Sequence, residues 1–398
     1  MSANQTATRN TDASRWFIQI GLKPDRSQVR VLSATECGTT ERGGAICPLS
    51  RCLRRTLAIA RRLPHLATMS DPHVPAEWGP RRALWTAWPS HADLWLDNLE
   101  PARAEVAAMI TALASGDRVR VLAAGAEAVR SARAALAPGV ADILDIPFGD
   151  IWLRDTGPIF ADVEGEAIAL GFKFNGWGGK YVLDGDADVA SSIATAAGVH
   201  FVGLPFVLEG GAIEMDGEGT LLTTRQCLLN PNRNAGWTQG DAEAALNGAL
   251  GVNKVLWLDE GLANDHTDGH IDNLARFVAP GVVVCQSPWK KDPNAGVIDR
   301  IATALEDMVD AAGRKLQVVR IPGPGFVPNE EGAPAPASHM NFIIGEKTVV
   351  VPIYSDAGDD AVRALAPLFP GRRVVGQSSN AILSGGGSFH CITQQEPA

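Results

Sequence analysis

From residue 83 onward the spacing of apolar positions switches repeatedly between strand-like and helix-like periods, and the switches are punctuated by glycine and proline. "ALWTAW" (83–88) predicts a strand, 98–115 an alanine-rich helix, "RVRVLA" (118–123) a strand and 126–137 a helix. "IPFGDIWLRDTGPIFADVEGEAIALGFKF" reads as strand, loop and hairpin, with turns at Gly149, Gly157-Pro158 and Gly165. A helix over 186–197 and a strand over 199–204 follow. "IEMDGEGTLLTT" predicts a hairpin turning at Asp216-Gly217, then a helix over 239–250 and the strand "KVLWL". "ARFVAPGVVVCQ" predicts a hairpin turning at Pro280-Gly281. The longest helix is expected over 294–313, then the strand "LQVVRI". "NFIIGEKTVVVPI" predicts a hairpin turning near Gly345-Glu346, with a helix over 357–368 and the strand "RRVVGQ" closing the series.

The unit hairpin–helix–strand therefore recurs, and about five copies fit into the chain after residue 69. Copies of one α/β module suggest an arrangement around an axis. A doubly wound dinucleotide-binding sheet is the competing architecture, but no GxGxxG follows a first strand.

Composition changes this picture at one end. The first 68 residues carry eleven Lys/Arg against four Asp/Glu, a net of +7, so the rest of the chain carries −17 of the overall −10. Half of the six cysteines (Cys37, Cys47, Cys52) lie there too, with clusters such as "RCLRRTLAIARRL". Residues 1–68 are read as a disordered leader or mis-assigned upstream sequence, and 69–398 as one domain with its start at Met69; a targeting peptide is the alternative. The acidic remainder argues against nucleic acid or an anionic membrane surface and is compatible with a cationic ligand. No apolar run reaches the roughly 18 residues of a membrane span. The cysteine spacing resembles neither a disulfide framework nor a zinc site, which points to a reducing, cytoplasmic setting.

Five segments concentrate polar, glycine and aromatic residues at strand ends: "GDIWLRDTGP" (149–158), "FNGWGGKY" (174–181), "LEGGAIE" (208–214), "NDHTDGHIDN" (264–273) and "GGGSFHC" (385–391). In "NDHTDGHIDN", strand alternation would put Asp268, His270 and Asp272 on one face. A metal site, a general acid/base histidine with a substrate-binding carboxylate, and a solvated polar turn are all consistent with it. Cys391 alone would be a small buried hydrophobe. Behind Gly385–Gly387, which permit close backbone approach, it reads instead as a nucleophile delivered by the tail. Asp155, flanked by Trp152 and Arg154, and Glu209, before Gly210-Gly211, stand at other strand ends. A thiol among several carboxylates suits a substrate whose own charge is positive. A guanidinium is planar and pairs bidentately with carboxylates.

At this point the chain resembles the agmatine deiminases and the related bacterial peptidylarginine deiminases of the guanidino-group-modifying superfamily. The resemblance is carried by "WLRDTGP", "FNGWGGKY", "EGGAIEMDGEGTLLTTRQCLLNPNRN", "TDGHIDN", "ASHMNF" and "GGGSFHCITQQEP", in that order, from about Trp78 to the end. It implies a five-bladed pseudo-symmetric α/β propeller of the pentein type. It implies hydrolysis of agmatine to N-carbamoylputrescine and ammonia through a Cys-bound thiouronium, feeding putrescine and polyamine synthesis, with no metal and no organic cofactor. Carried over by motif, Cys391 is the nucleophile and His270 the general acid/base. Asp155 and Asp272 grip the guanidinium nitrogens, and Glu209 orients His270. Trp152 lines the pocket, as do Trp85 or Trp88 of "WTAWP". The alternatives are deimination of a C-terminal arginine or another alkylguanidine, amidino transfer to an amine, and a non-catalytic guanidine or polyamine binder. The implied partner is a small cationic guanidine, and a homo-oligomer is the general expectation for such enzymes.

Overall fold

The computed structural model describes residues 72–398; the expectation for residues 1–68 lies outside the described residues. Among the described residues sixteen strands follow in chain order. They are β1 (Arg81–Ala87), β2 (Val119–Ala123), β3 (Ala141–Asp145), β4 (Ile159–Val163), β5 (Glu166–Lys173), β6 (His200–Val207), β7 (Ile213–Met215) and β8 (Thr220–Thr224). Then come β9 (Lys254–Leu258), β10 (Ala275–Ala279), β11 (Val282–Ser287), β12 (Gln317–Pro322), β13 (Ile343–Ile344), β14 (Thr348–Ile353), β15 (Arg373–Ser378) and β16 (Thr393–Pro397). Among the described residues they form five small sheets, ordered β16-β1-β2-β3, β4-β5-β6, β7-β8-β9, β10-β11-β12 and β13-β14-β15. In each, the first two strands are antiparallel and the next is added in parallel. This is the five-bladed α/β propeller that the resemblance implies, and its five units match the recurring hairpin–helix–strand pattern.

The parallel step needs a crossover, and a helix supplies it each time: α1 (Leu99–Leu113) before β2, α2 (Gly125–Ala135) before β3, α3 (Val189–Ala197) before β6, α4 (Gln239–Leu250) before β9, α5 (Ala295–Glu306) before β12 and α6 (Gly358–Leu365) before β15. The sequence explains where these helices stop. Helix α4 opens on a reciprocal Thr238–Asp241 capping box and ends at Gly251 in the left-handed region. The central strands β8, β11 and β14 are buried on both faces, which is why "VVVC" and "TVVVPI" read as unbroken apolar runs. Each sheet's apolar face packs on its crossover helix; Phe277, Val283, Ile298, Ile301 and Leu305 make one such core.

The three hairpin turns predicted at 216–217, 280–281 and 345–346 all fall between paired strands. Three local expectations need correction. The helix expected over 294–313 stops at Glu306, and α1, with 15 residues, is the longest among those described. Beyond Glu306, Asp310 accepts the backbone N–H of Arg314 and its guanidinium, and Gly313 takes a positive φ, so a turn replaces the last helical turns. "HIDN" is not a strand: Ile271–Asn273 is a 3₁₀ turn and the strand begins at Ala275. The tail after Cys391 is a strand, β16, and its pairing with β1 joins the chain's last described residues to the first blade.

Candidate active site

Equivalent positions of the five sheets supply the site. The segments that matter lie just before the first antiparallel strand of each: Asp155 before β4, Glu209–Gly211 before β7, His270 and Asp272 before β10, Asn341 before β13 and Cys391 before β16. Three of these entries are tightened by short helical turns, at Leu153–Thr156, Gly210–Ala212 and Ile271–Asn273. Hydrogen bonds tie the five entries to one another. Arg154 N–H donates to Cys391 O, Gly211 N–H to Asp155 Oδ1, Asn341 Nδ2 to Asn273 Oδ1, and Cys391 N–H to Asn341 Oδ1.

Gly211 lies at the meeting point of the acid/base groups. A Cβ there would stand 2.6 Å from His270 Nδ1, 3.0 Å from Asp155 Oδ1 and 3.2 Å from Asp272 Oδ2, so "EGG" needs its second glycine for space rather than for dihedral freedom. Its first glycine is equally constrained, since a Cβ on Gly210 would lie 2.2 Å from Arg154 O.

The thiol faces a carboxylate. Cys391 Sγ lies 3.6 Å from Asp272 Oδ2, which also accepts a 2.8 Å hydrogen bond from His390 Nδ1. Asp272 Oδ1 has no partner although the residue is fully buried. Asp155 Oδ2 accepts the Trp177 indole N–H at 2.8 Å. His270 is fully buried, neither ring nitrogen has a hydrogen-bond partner, and Nδ1 lies 3.8 Å from Asp155 Oδ1. Buried polar atoms are nearly always bonded, so this cluster of free polar atoms, gathered around the thiol, marks a candidate binding site.

Electrostatics follow from burial and the carboxylates. Burial, then the Asp272 and Asp155 charges, push the Cys391 thiol well above its ordinary range. Burial would lower the His270 pKa, but Asp155, Cys227 and Glu209 together outweigh it and hold the imidazole well above its usual value. Burial also raises Asp155, against the pull of His270. Asp272 is lowered despite its burial, because His390 donates to it. The protonated forms of both the Cys391 thiol and the His270 imidazole are thus favoured, with Asp272 3.6 Å from the sulfur. A cation placed between Asp155 and Asp272 would offset the part of the thiol's shift that the two carboxylates contribute.

Cys391, His270, Asp155, Asp272 and Glu209 are therefore brought together, and Trp152 joins them: its ring packs on Gly385 and Gly387, beside Cys391. Glu209 does not hydrogen-bond His270. Its Oε1 accepts from Arg233 Nε at 2.6 Å, while Oε2 is left without a partner near the imidazole. Trp85 and Trp88 do not join the site. Trp85 is fully buried, donates to Glu396 of β16 and carries the Arg120 guanidinium on its ring; Trp88, also buried, donates to Ser131 of α2. Both belong to the first blade's own packing, and the aromatic stacked on Trp152 is Trp95, with Asp150 accepting from both indoles. Asp268 also turns away: it has a positive φ and pairs with Lys180 and Arg233.

Sequence reasoning missed Trp177, Arg233, Asn341, His390 and the buried Glu77–Arg276–Glu214 cluster beneath them. Trp177 and Arg233 stood inside quoted motifs, but only the folded geometry shows that one donates to Asp155 and the other to Glu209.

A family model described as Porphyromonas-type peptidyl-arginine deiminase matches residues 73–397. The agmatine deiminase of Ectopseudomonas mendocina is 39% identical over 355 residues, spanning 82% of this chain and 95% of that protein. That of Pseudomonas aeruginosa (strain LESB58) is 38% identical over 351 residues, spanning 82% and 95%. Among solved structures, an agmatine deiminase of Enterococcus faecalis superposes with a TM-score of 0.76 at 32% identity, covering 82% of this chain and 96% of that one. With its five strand-entry loops converging on one thiol, this chain belongs to the Porphyromonas-type peptidyl-arginine deiminase family.

Proposed function

We propose that this chain hydrolyses agmatine to N-carbamoylputrescine and ammonia, through a thiouronium on Cys391. The observation that carries the reading is the buried Cys391–Asp272 contact, which faces an imidazole and a carboxylate oxygen without partners. Support for the substrate is the agmatine-deiminase name that its relatives bear across most of their length.

The substrate guanidinium lies between Asp155 and Asp272, and its charge neutralises theirs. The Cys391 thiol can then lose its proton, with Asp272 Oδ2 the acceptor within reach. The thiolate attacks the guanidinium carbon, forming a C–S bond. His270, held as the imidazolium, gives its proton to one terminal nitrogen, the C–N bond breaks and ammonia leaves. A water, deprotonated by the now neutral His270, attacks the thiouronium carbon. Collapse of that adduct breaks the C–S bond and releases the ureido product. The sulfur leaves as thiolate and takes up the adduct's hydroxyl proton to restore the thiol, and the proton held by Asp272 leaves to solvent, where ammonia becomes ammonium. Orientation of the carbon against the thiolate supplies up to about 7 kcal/mol, and acid/base help from His270 roughly 10²–10⁴-fold. Such an activity supplies putrescine for polyamine synthesis. A cytoplasmic setting fits the three described cysteines, all free thiols.

Rapid quenching of the wild-type protein with agmatine, followed by mass spectrometry, is expected to find an amidino adduct on Cys391. Cys391→Ser should fold normally and release no ammonia. An adduct elsewhere, or wild-type turnover by Cys391→Ser, would overturn the assignment. Running arginine and a peptide ending in arginine beside agmatine separates the substrate from the chemistry.

A further inference from the structure

Cys227 touches neither the substrate nor the reacting atoms in the reaction above, but its thiol is packed against the imidazole that does. The residue is fully buried, in the short helical turn Arg225–Leu228, where Thr224 Oγ1 accepts its backbone N–H. One ligating atom each from Glu209, Cys227 and His270 lie within 4.8 Å of one another, and all three residues are buried. Two of the three carry atoms that no protein group satisfies: Glu209 Oε2 and both His270 nitrogens. The carboxylate cannot turn away to relieve this, because Arg233 holds Oε1 and is itself locked to Asp268 and to Thr267 O.

A thiol, an imidazole and a carboxylate in one buried corner form a donor set for a borderline-soft divalent cation. Zinc takes sulfur at about 2.3 Å and nitrogen or oxygen at about 2.0–2.2 Å, in a tetrahedron that three protein ligands leave open at one position. Donor pairs then stand about 3.5 Å apart, so closing this trio needs shifts of an ångström or so, which rotation of the Cys227 and His270 side chains toward the fixed carboxylate would supply. The charge set includes the Cys227 thiolate, the Glu209 carboxylate, which is shared with Arg233, and the Asp155 carboxylate 3.8 Å from His270, while the thiol and imidazolium protons leave to solvent.

We propose that Glu209, Cys227 and His270 form a binding site for Zn²⁺, and that an ion bound there reversibly inhibits the protein by taking the lone pair of His270. Binding stands on the geometry alone; inhibition rests on the role proposed above for His270.

The test uses cobalt(II) chloride as a spectroscopic probe of the full chain, without substrate, in the Cys391→Ser background so that the nucleophile is removed. One equivalent of cobalt should bind and give a thiolate-to-cobalt charge-transfer band. Adding Cys227→Ser should abolish the band and weaken binding at least about tenfold. If that variant does not fold, His270→Ala in the same background should weaken binding likewise. In the otherwise wild-type chain, Zn²⁺ should stop ammonia release, EDTA should restore it, and Cys227→Ser should need at least about tenfold more Zn²⁺ for the same effect. A band that vanishes with Cys391→Ser alone places the ion on the nucleophile and overturns the proposal. So does the absence of cobalt binding, or binding that neither Cys227→Ser nor His270→Ala weakens. Cobalt bound at Cys227 without loss of activity would keep the site and overturn the role given to His270.

Discussion

The ring of Trp152 fills the space that a side chain on Gly387 would take: a Cβ there would stand 2.6 Å from Trp152 Cζ3 and 3.2 Å from Cys391 Sγ. Gly385 is pressed against the same ring and against Trp95, and Gly386 takes a φ of +107° that L side chains avoid. The three glycines thus let the tail pass under two stacked indoles and set the thiol beside them. Gly387→Ala should leave the blades folded but displace either the indole or the sulfur. A misplacement near 1 Å costs about 10²-fold in rate. Steady-state ammonia release would show that loss with far-ultraviolet circular dichroism unchanged, and wild-type turnover by Gly387→Ala would refute this account of the tail.

Trp177 gives a finer test, because its indole N–H is the side-chain donor to Asp155 Oδ2. Trp177→Phe keeps an apolar ring against Phe174, removes that hydrogen bond and trims the indole that also packs on Tyr181. A hydrogen bond to a charged group is worth about 1.5–3 kcal/mol, so kcat/KM should fall roughly 10–100-fold. An unchanged kcat/KM would mean that Asp155 is held well enough by Gly211 N–H alone.

Beneath the site, Arg276 is fully buried and bonded to both Glu77 and Glu214, with its remaining donors on Met340 O and Phe342 O. Glu77 also accepts from His390, the neighbour of Cys391, so this cation anchors the floor of the site. Arg276→Met leaves two buried carboxylates without their counter-charge, a loss of about 3–5 kcal/mol. Urea denaturation should show the midpoint falling with the slope unchanged. Arg276→Lys should recover only part, since an ammonium cannot reproduce the two-pronged geometry. A midpoint within error of wild type would show that the network is stabilised from elsewhere.

The fold was legible in the sequence because its unit is local. A hairpin, a helix and a strand within some 60 residues each leave a change of period, and turn residues such as Pro280-Gly281 mark the boundaries. The motif residues His270, Asp155, Asp272 and Glu209 were legible for another reason: each sits at the entry to a hairpin strand, so glycine and charge stand out beside apolar runs, while Cys391 was marked by the three glycines before it. What was not legible depends on distance along the chain. β16 reads as a polar tail, "TQQEP", and becomes a strand only because β1 lies beside it and Arg154 bonds both Gln394 and Gln395. Trp85 and Trp88 look like pocket residues until Glu396 and Ser131 are seen to claim their N–H groups. Alternation along "DGHIDN" failed because a positive φ at Asp268 and a 3₁₀ turn after His270 replace the strand. The result sends Asp268 to Arg233 while His270 and Asp272 face the thiol.

A last prediction concerns pH, at the shelf that supports Trp152. Asp186 Oδ1 accepts the backbone N–H groups of Gly149 and Asp150, while Oδ2 is buried without a partner. Burial, assisted by the neighbouring Asp150 carboxylate and opposed by those backbone donors and by His91, raises its pKa to about 6. The sign follows from which state holds the proton. Below about pH 4 Asp186 is neutral in folded and unfolded chains alike, so it favours folding fully. Between about pH 4 and 6 the unfolded chain ionises first, and that contribution drains away; above pH 6 the folded protein carries a buried, half-satisfied charge. Asp186→Asn keeps an oxygen for both N–H donors and removes the charge. It should therefore raise stability at pH 8 by about 1–3 kcal/mol, with the gain shrinking to nothing near pH 4. Urea midpoints for both proteins across that range are the measurement. A gain of equal size at pH 4 and pH 8, or a loss at pH 8, would mean that the carboxylate is satisfied and that the charge at Asp186 is part of how the loop below Trp152 is held.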